Sequence, residues 1–157
     1  MTSVAQAWQQ ALAAEYAAAF GYGVLGPRLG VAASVALARA AEQAHHELGD
    51  RTAGDLGAAG QPPVGPAADY PLPYPVTDDL SAQHFAIRLE SACASAWRYL
   101  ISVAAAPDAD HSGLDAAQLQ TLRAVAQSAL TASAVRAMRW RRLVDPAKAT
   151  VPFPGID

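Results

Sequence analysis

Apolar residues recur at helical spacing in four stretches of the chain, and the gap between the second and third has no period at all. The first stretch runs from Ser3 to about Leu25. Trp8, Leu12, Glu15, Ala19 and Tyr22 share one face of it, Ser3 can cap it, and Gly21, Gly23 and Gly26-Pro27 close it. The second runs from about Arg28 to Leu56, with the stripe Val31, Val35, Ala38, Glu42, His45 and a weak point at Gly49. So short a break between the two predicts an antiparallel helical hairpin. The third starts at Thr77 or Asp78 as N-cap and runs to about Ala106, where Pro107 ends it. Its stripe is Leu80, His84, Ile87, Glu90, Ala94, Trp97 and Ile101. After a turn over 108–113, the fourth runs from about Leu114 to Val144. Leu119, Leu122, Val125, Ala126, Ala129, Ser133, Arg136, Trp140 and Leu143 lie on its apolar face. Pro146 stops it, and the tail over 145–157 is expected to drape over the bundle.

The gap from Gly57 to Thr77 reads GAAGQPPVGPAADYPLPYPVT, and its prolines at 62, 63, 66, 71, 73 and 75 forbid a helix. A structureless loop of this length normally counts against an assignment. Here length explains it. A helix of about 28 residues is about 42 Å long at 1.5 Å per residue. Twenty-one extended residues can reach about 70 Å, enough to travel the whole bundle and let the third helix run parallel to the second. Tyr70, Leu72, Tyr74 and Val76 are candidates to pin this crossover to the surface. The pattern therefore predicts an all-α, single-domain four-helix bundle with helices over about 3–25, 28–56, 78–106 and 114–144 and a crossover over 57–77.

Composition fits that reading. Of 157 residues, 52% are apolar and only 16% charged, and much of the apolar share is alanine, which favours helix and lets helix axes approach closely. The net charge of −3 supplies no field for a polyanion. Arg136, Arg139, Arg141 and Arg142 cluster near a helix C-terminus, where cations complement the dipole, so nucleic-acid binding is not expected. A single cysteine, Cys93, rules out an internal disulfide and reads as a small buried hydrophobe. The opening Met1-Thr2-Ser3-Val4-Ala5-Gln6 lacks the pattern of a signal peptide, and no run has the length and apolarity of a membrane span. A cytoplasmic location is the expectation.

The chemistry lies in three carboxylates placed within otherwise apolar faces: Glu15, Glu42 and Glu90. Each would cost several kcal/mol to bury unpaired. Glu42 and His45 stand at i, i+3 and point to the same side of their helix. A Glu from each of two helices and a Glu-x-x-His from each of the other two is the ligand set of di-iron and di-manganese bundles. The order here is Glu, Glu-x-x-His, crossover, Glu. The fourth segment should bring a second Glu-x-x-His, yet it holds neither Glu nor His between Leu114 and Val144. Its inward face offers Ala129, Ser133 and Arg136 instead. Glu15, Glu42, His45 and Glu90 could hold one ion of iron or manganese. Alternatively, Arg136 could pair with the carboxylates and supply the charge a second metal would have given. Tyr16 and Tyr22 flank Glu15 and could hydrogen-bond it. His84 reads as a core-edge histidine, and His46 and His111 as solvated.

Several of these pieces resemble a known family. Residues 14–26 (AEYAAAFGYGVLG), Ala44-His45, residues 70–76 (YPLPYPV), Leu89-Glu90, Arg139-Trp140-Arg141 and Pro152-Phe153-Pro154-Gly155 are similar to an uncharacterised ferritin-like family of high-GC Gram-positive bacteria, domain of unknown function 4439. The resemblance implies a ferritin-like fold and imports no activity. Members often carry an arginine-rich run after the helix-two histidine, where this chain has His46-Glu47-Leu48-Gly49.

Three functions follow as expectations. The first is a non-catalytic bundle with a degenerate di-metal site, its carboxylates held by hydrogen bonds and Arg136, working through a protein partner or as a homodimer. The second is a metal-binding protein or metal-dependent oxidase using Glu15, Glu42, His45 and Glu90. The third is a carrier of a small apolar ligand, for which an alanine-rich interior leaves little room.

Overall fold

Three of the four helices begin on a reciprocal capping box. Ser3 pairs with Gln6, Asp78 with Ser81 and Asp115 with Gln118, each satisfying backbone N–H groups that the first turn leaves free. The computed structural model describes residues 3–107, 109–111 and 113–156; Met1 and Thr2, and Asp108 and Ser112 of the predicted turn, lie outside the described residues. The helices are α1 Val4–Leu25, α2 Ala32–Ala58, α3 Asp79–Ala105 and α4 Ala116–Val144, and no strand occurs among the described residues. α2 starts four residues later than its periodicity predicts. Pro27 directs the chain into a 3₁₀ turn over Gly26–Arg28, and the Gly30 N–H is then held by the Asp79 carboxylate at 2.9 Å.

Contacts fix the directions of the helices. Down α1, Ala14 meets Cys93 and Gly21 meets Leu89, so α1 and α3 are antiparallel. Tyr16 meets Gly49 and Gly23 meets Glu42, so α1 and α2 are antiparallel as well. α2 and α3 therefore run the same way, and the connector between them has to travel from one end of the bundle to the other. Gln9 holds it near its start, donating to the Pro62 carbonyl at 2.7 Å and accepting from the Val64 N–H at 2.8 Å. Tyr70 packs on Phe20, Tyr74 on Phe85, and Val76 is buried, while Leu72 stays exposed and pins nothing. The C-terminal tail lies on α3: Gly155 adopts φ +80°, its carbonyl accepts from Ser95, and a Cβ there would come within 2.9 Å of the Ala94 carbonyl oxygen.

Two apolar clusters fill the ends. Trp8, Leu12, Leu56, Trp97, Leu100 and Leu122 fill one, and Tyr22, Leu25, Phe85 and Trp140 the other. α1 packs on α2 and α3, and α3 packs on α4. α2 and α4 scarcely meet and leave a groove lined at mid-length by Ala44, Leu48, Ala129 and Arg136, with a cavity of about 430 Å³.

Candidate functional site

The ionisable residues of the interior gather at mid-length in the bundle. Glu15 of α1, His45 of α2, Glu90 of α3 and Ser133 of α4 are fully buried at this level. His45 bridges two carboxylates, with Nδ1 2.6 Å from Glu15 Oε2 and Nε2 3.2 Å from Glu90 Oε1. Trp97 donates its indole N–H to Glu15 Oε1 at 2.6 Å. Glu90 Oε1 also accepts from the Tyr22 hydroxyl at 2.7 Å and from Arg136 Nε at 2.8 Å. Trp140 in turn donates to the Tyr22 oxygen at 2.9 Å, and Arg136 donates to Ser133 Oγ at 3.3 Å. Glu90 Oε2 is buried without a partner.

Charge is balanced inside this cluster. Both nitrogens of His45 face carboxylate oxygens, and an imidazole can donate from both only when protonated. Burial pulls its pKa down, but the hydrogen bonds and charges of Glu15 and Glu90 outweigh burial and raise it to about 9. Burial pushes the Glu90 carboxyl up, and His45, Arg136 and Tyr22 together bring it below its usual value. Burial would lower Arg136 too, and the adjoining Glu90 raises it instead. Counted as two carboxylates, one imidazolium and one guanidinium, the formal charges cancel. Tyr22, driven well above the ordinary phenol value by burial and by Glu90, remains a neutral donor.

The sequence-predicted residues divide here. Glu15, His45, Glu90 and Arg136 come together, with Arg136 joined to one carboxylate rather than two. Glu42 stays apart, half-buried on the flank of α2, where it lines a surface cavity with Tyr16, His46 and Asp50. The inward face of α2 runs through Ser34, Ala38, Ala41, His45, Gly49 and Thr52, rotated from the predicted stripe, so Val31 is exposed and Ala41 takes the inward position next to Glu42. Tyr16 packs over Gly49, leaving Tyr22 as the ring bonded to the cluster, through Glu90 and not Glu15. His84 is exposed because α3 turns Phe85 and Ala86 inward, and His46 is exposed as expected. His111 is half-buried, with a shielded Nε2 that finds no hydrogen-bond partner.

Cys93 is fully buried in the apolar core, as its reading as a small hydrophobe predicts, and it also borders the polar cluster. Its sulfur, one His45 nitrogen and one Glu15 oxygen all lie within 4.8 Å of one another. The signal was present in the spacing, since Glu90-x-x-Cys93 is an i, i+3 pair. The Trp97 indole could also have been paired with a carboxylate, because a buried Trp N–H needs an acceptor, and it donates to Glu15. As donors for metal these groups fit two ions poorly: α4 contributes Ser133 and the guanidinium of Arg136, and a cation on Glu90 Oε1 would face Arg136. Among the described residues, Glu15, His45 and Cys93 alone offer donor atoms close enough together to hold one ion. It would require His45 to lose its proton and Cys93 to become a thiolate, and burial with the charges of Glu15 and Glu90 pushes that thiol well up.

Residues 7–157 match the model of a family described as domain of unknown function, DUF4439. The chain belongs to that family. Among solved structures, it resembles a conserved hypothetical protein, rv2844, from Mycobacterium tuberculosis, at 33% identity and a TM-score of 0.73, over 87% of this chain and 93% of the other. No curated protein matches. Among the described residues, no helix of this DUF4439 chain is long and apolar enough to cross a membrane.

Proposed function

We propose that the chain is a non-catalytic, ferritin-like four-helix bundle in which an imidazolium and a guanidinium take the place of two metal ions. The observation that carries this reading is Arg136 Nε donating to Glu90 Oε1 at 2.8 Å, from the helix that would otherwise supply the last ligands. Supporting it are the parallel α2 and α3 joined by a crossover and the chain order of Glu15, His45 and Glu90, which follow the ferritin-like arrangement. The bundle would then act through association with a partner, first of all a second copy. Val31, Leu80 and Leu143, 57%, 55% and 50% exposed, lie at the end of the bundle where α2 and α3 begin and α4 finishes, and favour such an interface. Purification from iron- or manganese-supplemented medium should yield substoichiometric metal, with a melting temperature unmoved by either ion or by a chelator. Stoichiometric metal that raises the melting temperature, and is lost in Glu15→Ala, would overturn the reading.

A second reading rests on the Glu15–His45–Cys93 grouping and the unpartnered Glu90 Oε2. In it, the bundle holds one thiophilic divalent ion, bound by a thiolate, an imidazole and a carboxylate. Cobalt(II) is the probe. A thiolate-to-metal charge-transfer band, abolished in Cys93→Ser, would replace the first reading with this one; no band at saturating cobalt removes it.

A further inference from the structure

Away from the buried cluster, the crossover closes over a cleft between α1 and α2 with a volume of about 570 Å³. Three aromatic rings face it: Tyr16 and Phe20 from α1 and Tyr70 from the crossover. Phe20 and Tyr70 pack with ring centroids 5.1 Å apart, and the Tyr70 hydroxyl accepts from the Ala67 N–H at 2.9 Å, which fixes the wall made by the crossover. The α2 side carries Glu42, His46 and Asp50, one turn apart. No lysine or arginine is among the residues that line the cleft, and Glu42 and Asp50 stand on either side of His46 along its α2 wall. Asp50 and Tyr70 act with burial to push the Tyr16 phenol up, so that ring remains neutral.

These groups recognise positive charge on an apolar body. Ring faces attract ammonium groups, and the effect grows where the cation is partly desolvated. Glu42 is half-buried beside Gly23 of α1. Glu42 and Asp50 are eight residues apart, which sets their α-carbons about 12 Å apart along the helix. A single small cation would meet one carboxylate and leave most of the cleft empty. A linear chain with an ammonium at each end meets both and lays its methylenes across Tyr16 and Phe20.

We infer that this cleft binds a linear aliphatic polyamine, its terminal ammonium groups on Glu42 and Asp50 and its methylene chain against the three rings. The proposal is independent of what the buried cluster does, since the hydrogen bonds of Glu15, His45 and Glu90 involve none of the cleft residues. The test is calorimetric titration of the full chain with spermidine at low salt, alongside butylamine as a one-charge control. Saturable binding with one site is expected, at least tenfold tighter than butylamine. Glu42→Gln with Asp50→Asn should weaken it at least tenfold, and Phe20→Ala severalfold. Asp115→Asn with Asp145→Asn, at the two ends of α4 and outside the cleft, should leave it unchanged and thereby separates a built site from general attraction to an acidic protein. Circular dichroism melting confirms that each variant is folded. No saturable binding, equal affinity for butylamine, or equal losses in the two double variants would overturn the proposal.

Discussion

Glu90 shows how the interior manages a charge that burial alone would reject. Its Oε1 collects Tyr22, His45 and Arg136, and this convergence replaces the water it lost. Removing one member leaves the others uncompensated. Glu90→Gln strands His45 and Arg136 against Glu15 alone and should cost about 3–5 kcal/mol by urea denaturation, the range for breaking a buried pair. Arg136→Met should cost less, because Tyr22 and His45 remain on Glu90. The pH dependence carries a sign. His45 has a folded pKa raised from 6.5 to about 9, so its contribution is complete below pH 6.5 and is lost as pH rises through 9. That loss is on the order of 3 kcal/mol at about 1.4 kcal/mol per pH unit. Glu90 is lowered from 4.5, so its contribution is present above that value and is lost as pH falls through the folded pKa. Stability should therefore peak between about pH 5 and 6.5 and fall on both sides. His45→Gln should flatten the alkaline limb, and an unchanged limb in that variant would refute the assignment.

At the scale of the helix, periodicity located the four helices but left their rotation uncertain. The face of α1 was legible, because Trp8, Leu12, Glu15, Ala19 and Tyr22 mark it and all are buried, although the helix runs through Gly21 and Gly23, which were expected to close it, as far as Leu25. That of α2 was not. Its buried face is built largely of Ser34, Ala38, Ala41, Gly49 and Thr52, small residues that carry almost no hydrophobic contrast, so the stripe kept Ala38 and His45 but strayed to the exposed Val31 and the flanking Glu42. That rotation is why Glu42 joined the predicted ligand set and stands outside the observed cluster. Gly49 likewise looked like a weakness and is a point of close approach, where a Cβ would sit 3.3 Å from the Tyr16 ring. Gly21 plays the same part between α1 and α3. A Cβ on it would stand 2.5 and 2.8 Å from the two methyls of Leu89. Gly21→Ala should cost about 1–3 kcal/mol despite alanine's better helix propensity. Combining it with Leu89→Ala should cost less than the two single losses added together. Full additivity in that cycle would mean that the contact does not limit the approach of the helices.

For the whole molecule, the connector was the most legible feature, since six prolines and the length of a helix together demand a chain running from end to end. The centre was only half legible. Three helices announced their buried polar groups through Glu15, His45 and Glu90, whereas the contributions of Trp97 and Trp140 depend on which rotamers meet across helices, and spacing within one helix does not encode that. The apolar end at Val31, Leu80 and Leu143 belongs to this scale as well. Light scattering after size exclusion should give twice the protomer mass, and Leu80→Glu with Leu143→Glu should return a folded monomer. A strict monomer of the unaltered chain at high concentration would remove self-association from the account.

In the proposed function, the proton on His45 and the guanidinium of Arg136 hold the buried carboxylates together without metal. Nitrogen NMR of the imidazole of His45, titrated from pH 5 to pH 10, tests it most directly. The account predicts two protonated ring nitrogens at neutral pH and a single titration centred near 9. A neutral ring at pH 7 with one free nitrogen, or a spectrum that changes on adding a divalent metal, would contradict it.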